Sequence, residues 1–120
     1  MNTAFIQGQE EIIHHFGYFP DFHDDYLERI EITSQDIILS IRMASSAEQE
    51  EVNEVPSRYV TLTLHNIKNF NLQGNDLYGV LSILFDIRIT ETPDGILTKL
   101  STSLGAEGSI LSESAEVKLL

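Results

Sequence analysis

The stretch Leu81-Ser82-Ile83-Leu84-Phe85-Asp86-Ile87-Arg88-Ile89-Thr90 sets Leu81, Ile83, Phe85, Ile87 and Ile89 against Ser82, Asp86, Arg88 and Thr90. Side chains along a strand point alternately to opposite faces, so this period of two predicts a β-strand with one buried face. Pro93-Asp94-Gly95 follows with the chemistry of a tight turn, and Ile96, Leu100 and Leu104 then alternate with Lys99, Ser101 and Ser103. The two runs are expected to pair as a hairpin.

The same alternation extends in both directions. Towards the N-terminus, Val60, Leu62 and Leu64 oppose Tyr59, Thr61, Thr63 and His65, and Ile37, Leu39, Ile41 and Met43 alternate with Ser40 and Arg42. Ile30 and Ile32 alternate with Arg29 and Glu31 across the turn-like Thr33-Ser34-Gln35-Asp36, which predicts a second hairpin starting at Tyr26. Towards the C-terminus, a last strand is expected from Ser109 to Leu119, with Leu111, Ala115, Val117 and Leu119 on its apolar side. Asn66 to Asp76 carries Asn and Gly residues that suit turns and reads as irregular.

Before these strands the period is helical. Ile12, Ile13 and Phe16 recur at helical spacing between Gln9 and Phe16, with Glu10 and Glu11 in a first turn that favours negative charge. Gly17 can take the left-handed conformation that ends a helix, and Pro20 prevents continuation. Tyr18, Phe19 and Phe22 beside this break are expected to plug one edge of a core. The fold class is therefore mainly β with α (α+β): about six mostly antiparallel strands in a curled sheet or two-layer sandwich, and one short N-terminal helix.

The chain of 120 residues is one domain's worth, 1–120, with 42% hydrophobic and 22% charged residues. Nineteen acidic residues against seven basic ones give a formal charge of −12, so the clustered cations of a phosphate-binding surface are missing and nucleic acid is a poor direct partner. Zero cysteines exclude disulfides and thiolate metal sites. No stretch reaches the ~20 apolar residues of a membrane helix, and MNTAFIQGQEEII has acid where a signal peptide needs a basic start. These features lead to the expectation of a cytoplasmic protein. Between Ser45 and Pro56, Glu48, Glu50, Glu51 and Glu54 occur without a cation, which reads as an exposed acidic loop able to steer a basic partner.

The densest polar cluster is His23-Asp24-Asp25. A histidine beside a carboxylate can ligate a metal or act as an oriented base, but such sites need further converging ligands, and the distant histidine is His65. The favoured reading is structural: His23 hydrogen-bonds at the start of the first strand while Asp24 or Asp25 satisfies nearby backbone N–H groups. His14-His15 suits a helix C-terminal turn. Ser101, Ser103, Ser109, Ser112 and Ser114 lack a nucleophile-elbow context and read as strand exteriors. Gly105-Ala106-Glu107-Gly108 reads as a turn rather than a phosphate loop. No catalytic residue, cofactor or metal is expected.

The segment His15-Phe16-Gly17-Tyr18-Phe19-Pro20-Asp21-Phe22-His23-Asp24-Asp25-Tyr26-Leu27 resembles the opening signature of the immunity protein 50 family of bacterial polymorphic-toxin systems, with Phe22, His23 and Asp24 as its core. Thr61-Leu62-Thr63-Leu64-His65-Asn66-Ile67, followed by Phe70-Asn71-Leu72, also resembles a strand of that family and its exit. The resemblance implies a small cytoplasmic protein that binds and neutralises a cognate toxin domain and is not an enzyme. Glu48, Glu50, Glu51 and Glu54, with Asp24 and Asp25, are then the candidate partner-binding residues. Two other readings stand beside it: a metal-dependent or small-ligand enzyme using His23, Asp24, Asp25 and His65, and an accessory domain that binds protein through a sheet edge.

Overall fold

The computed structural model describes residues 5–43, 59–73, 82–102 and 107–120, and between 82 and 85 the backbone alone. The elements are β1 (Ile6–Gln7), α1 (Gln9–Phe16), β2 (Tyr26–Ile32), β3 (Ile37–Arg42), β4 (Tyr59–Gln73), β5 (Ser82–Thr92), β6 (Gly95–Thr102) and β7 (Glu107–Leu119). They form one sheet in the order β1-β7-β4-β3-β2-β5-β6, with β6 also paired to β7. All pairings are antiparallel except the short parallel contact of β1 with β7. The pairings curl back on themselves, but β2 meets β5 at two residue pairs only, Tyr26 with Ile83 and Leu27 with Ser82. The sheet is curled and not evenly closed.

The inner face holds the core. Ile37, Leu39, Ile41 and Met43 of the β3 run, Val60, Leu62 and Leu64 of β4, Ile87 and Ile89 of β5, and Ile96 and Leu100 of β6 are all buried, as their alternation predicts. The helix and both hairpins stand where the periodicity places them. Gly17 ends α1 at φ 85°, its N–H donating to the Ile13 carbonyl at 2.7 Å.

Five readings are corrected. Seven strands are present among the described residues; the extra one is β1, two residues long and invisible to any periodicity. Asn66 to Gln73 is strand rather than irregular chain, because β7 pairs with β4 along its whole length, from Val60–Leu119 to Gln73–Glu107. Long-range pairing overrides the local turn preference, and Asn66 takes a left-handed φ of 55° within it. In β2, an irregularity between Leu27 and Arg29 shifts the register, so that Leu27 is buried and Ile30 partly so while Ile32 is 53% exposed. In β7, Ile110 and Ser112 face inward rather than Leu111, and inward facing resumes at Ala115 and Val117. Ser103, Leu104, Gly105, Ala106 and the run 74–81, with Leu81 at its end, are outside the described residues, whereas Glu107 and Gly108 open β7.

Helix α1 is seated on β7 through Ile12, and the chain reaches it from β1 by a sharp reversal at Gly8. Gly8 has φ 84°, and a Cβ there would run into the Val117 carbonyl oxygen. Gly17 has a similar φ but open space around it. Gly17→Ala should therefore cost only the left-handed backbone penalty, about 1 to 2 kcal/mol. Gly8→Ala should cost more, on the order of 2 to 4 kcal/mol, because β1 must also move off β7. Urea unfolding of both variants checks this, and equal losses would contradict the close packing of Gly8 on Val117.

Candidate functional site

Three polar places stand on this sheet. The first is the turn into β2. Phe22 and Asp24 both have left-handed backbone, at φ 63° and 66°, and the Asp25 N–H donates to the Phe22 carbonyl at 3.1 Å. Asp21 organises this turn: its Oδ1 accepts from the His23 N–H at 3.0 Å, and its carbonyl accepts from the Ile87 N–H of β5 at 2.8 Å. The loop thus continues along β5 where β2 has not yet begun. Phe22 is buried and meets Phe19 edge to face, while Pro20 is buried and Tyr18 stays 62% exposed.

The segment Phe22 to Asp25 thus divides by burial. Phe22 and Asp25 are buried, and His23 and Asp24 face solvent with His23 Nε2 3.5 Å from Asp24 Oδ2. It is Asp21, rather than Asp24, whose side chain takes a backbone N–H of this turn. Asp24 is available to a partner, whereas Asp25 is 5% exposed. Glu48, Glu50, Glu51 and Glu54 lie outside the described residues.

The second place is around His65. Its Nε2 lies 2.9 Å from Glu116 Oε1 on β7, and its Nδ1 lies 3.4 Å from Asp36 Oδ2 at the end of the β2–β3 turn. The Asn66 N–H donates to the other oxygen of Asp36 at 3.1 Å, and its side-chain amide donates to Glu113 at 3.2 Å. His65 is therefore engaged by Asp36 and Glu116 and not by Asp24 or Asp25. Among the described residues, no group of three or more His, Asp and Glu side chains is arranged to hold a metal ion. The Glu116 hydrogen bond raises the His65 pKa above the ordinary 6.5; partial burial opposes it and Asp36 adds to it.

The third place is an open cleft of about 470 Å³ on the outer face of β4, β7, β6 and β5. Strand pairing lays its side chains in two rows. Arg88 stands opposite Lys99, Lys99 opposite Ser109, and Ser109 opposite Asn71. The neighbouring row is Asp86, Ser101, Glu107 and Gln73, each opposite the next. One row carries two cations and the other two carboxylates, and Arg88 Nε donates to Asp86 at 2.8 Å.

Sequence reasoning singled out neither the partners of His65 nor the outer cleft. The partners of His65 come from distant strands. Arg88 and Lys99, by contrast, follow from the hairpin register once Thr92 is set against Gly95. In comparisons with known proteins, no family model matches the chain, and no curated protein and no solved structure matches it.

Two tests follow. Phe22→Ala should cost on the order of 3 to 5 kcal/mol through the cavity it leaves, whereas the His23 side chain is 61% exposed and fills no core space, so His23→Ala should cost clearly less. Denaturant unfolding separates them, and a His23→Ala loss as large as that of Phe22→Ala would overturn this division. For His65, a folded-state pKa above the unfolded value means the native chain binds the proton more tightly. Its contribution is full below 6.5 and is lost as pH rises through the folded-state value. The gap in urea midpoint between the wild type and His65→Gln should therefore narrow from pH ~5.5 to pH ~8.5; a constant or widening gap would refute it.

Proposed function

We propose that this protein is a non-catalytic binding protein that holds a cationic protein partner, and that the partner is a toxin domain it neutralises. The observation that carries the reading is charge: nineteen carboxylates against seven cations, with four of the cations further engaged at home. Arg29 pairs with Glu31, Arg42 with Glu28 while lying over the Tyr26 ring, and Arg88 with Asp86. Lys68 donates to the Asp94 carbonyl. Exposed carboxylates such as Asp24, Glu113 and Glu116 stand in excess over free cations. A nuclease-type toxin must present cations to its phosphate substrate, and a carboxylate-rich surface can occupy the same ground. The Phe22-His23-Asp24 resemblance supports the same reading.

Electrostatic surplus governs encounter more than residence, because rim charges act across water and are screened beyond ~8 Å at physiological salt. The test pairs this chain with each candidate toxin domain encoded beside its gene. A one-to-one complex that abolishes the toxin's activity is expected. Replacing Glu48, Glu50, Glu51 and Glu54 with glutamine should slow association at low salt, with dissociation nearly unchanged. No complex with any neighbouring toxin would sink the immunity reading; association indifferent to both the substitution and added salt would sink the electrostatic account.

A further inference from the structure

We infer that the outer cleft is a second binding site, for a short zwitterionic peptide whose carboxylate lies on the Arg88 and Lys99 row and whose ammonium lies on the Asp86 and Glu107 row. It does not rest on the toxin-binding reading, because the cleft is balanced in charge on a strongly acidic protein.

The argument begins with a local cost. Arg88 and Lys99 are direct cross-strand neighbours, and like charges directly opposite on paired strands are destabilising. Asp86 offsets this at one point only, through Arg88 Nε. Among the described residues, the terminal guanidinium nitrogens of Arg88 and the ammonium of Lys99 have no protein partner. The hydroxyls of Ser101 and Ser109, which also line the cleft, have none either. Four groups that can donate hydrogen bonds thus converge on one open space, which suits a carboxylate.

The acidic row then narrows the ligand. Asp86 and Glu107 would repel a polyanion, and they offer acceptors to an ammonium instead. Arg88 and Asp86 already meet at 2.8 Å, so the charges left apart for a ligand are those of Lys99 and Glu107, whose rows are two residues apart along the strand, ~7 Å at the backbone, which is also the reach of about two extended residues. A dipeptide with free termini therefore spans the rows with its two charges matched. A volume of about 470 Å³ accommodates it. A single amino acid holds its charges too close together, and a capped peptide lacks one of them.

The probe is glycylglycine, compared with N-acetylglycylglycine, which lacks the ammonium, and glycylglycinamide, which lacks the carboxylate. Binding is followed by the amide NMR shifts of Arg88, Lys99, Ser101 and Ser109 at constant ionic strength. Glycylglycine should give saturable shifts at these residues, and each capped analogue should bind about threefold to fivefold more weakly, the scale of one exposed charge pair. Lys99→Gln should reduce the advantage of glycylglycine over its amide, and Glu107→Gln its advantage over the acetylated form; both positions are exposed, so the fold persists. Absence of saturable shifts, equal binding of the three compounds, or shifts confined to another face would overturn the proposal.

Discussion

The sheet has to change face at one level, and the rest of the structure is arranged around that bend. On β4 the inward residues are Val60, Leu62 and Leu64, and then Ile67 and Leu72. On β7 they are Ile110 and Ser112, and then Ala115 and Val117. Leu64 pairs with Ala115 and Ile67 with Ser112, so both strands switch parity between the same two pairs, where Asn66 adopts its left-handed φ of 55°. A residue with a short amide side chain tolerates that conformation better than a β-branched one would. Without the switch, one half of this fifteen-residue strand would turn its apolar side to water.

Neighbouring strands are exchanged at the same level. β3 pairs with β4 as far as Leu64, and the Ile67 N–H is then taken by the Gln35 carbonyl of the β2–β3 turn. β6 pairs with β7 up to Ser112, and β1 takes over at Ala115 and Glu116. The network of Asp36, His65, Asn66, Glu113 and Glu116 lies across this junction. Its first consequence is mechanical: it ties the β2–β3 turn to β4 and β7 at the level where strand partners change.

Most of the fold was legible because burial on one face writes itself into alternation. The residues Ile37 to Met43, Val60 to Leu64, and Ile87 with Ile89 read correctly for that reason. The failures have two causes. Register shifts after Leu27 in β2 and near Lys68 in β4 change which parity faces inward, and a bulge has no signature in a hydrophobic period. Asn66 to Gln73 read as irregular because its pairing partner is distant along the chain, as Asn71 with Ser109 shows. The candidate site was less legible. Phe22-His23-Asp24 stood out as a cluster, but its division into a buried aromatic and two exposed polar side chains depends on two left-handed residues that composition does not announce.

Net charge and local charge operate over different distances, so the proposed protein partner and the proposed cleft ligand would be recognised by separate terms. The surplus of carboxylates sums over the surface and reaches an approaching protein before contact, although salt limits that reach to ~8 Å. Within the cleft the charges are balanced, two cations in one row against two carboxylates in the next. A ligand there responds to the placement of each group and scarcely to the total. Strand pairing fixes that placement, since Arg88, Lys99 and Ser109 are held opposite one another by backbone hydrogen bonds rather than by their own contacts. The side chains need only be charged and exposed; the sheet supplies the spacing. Removing a charge from the cleft should leave the long-range field nearly as it was, and removing carboxylates elsewhere should leave the cleft intact.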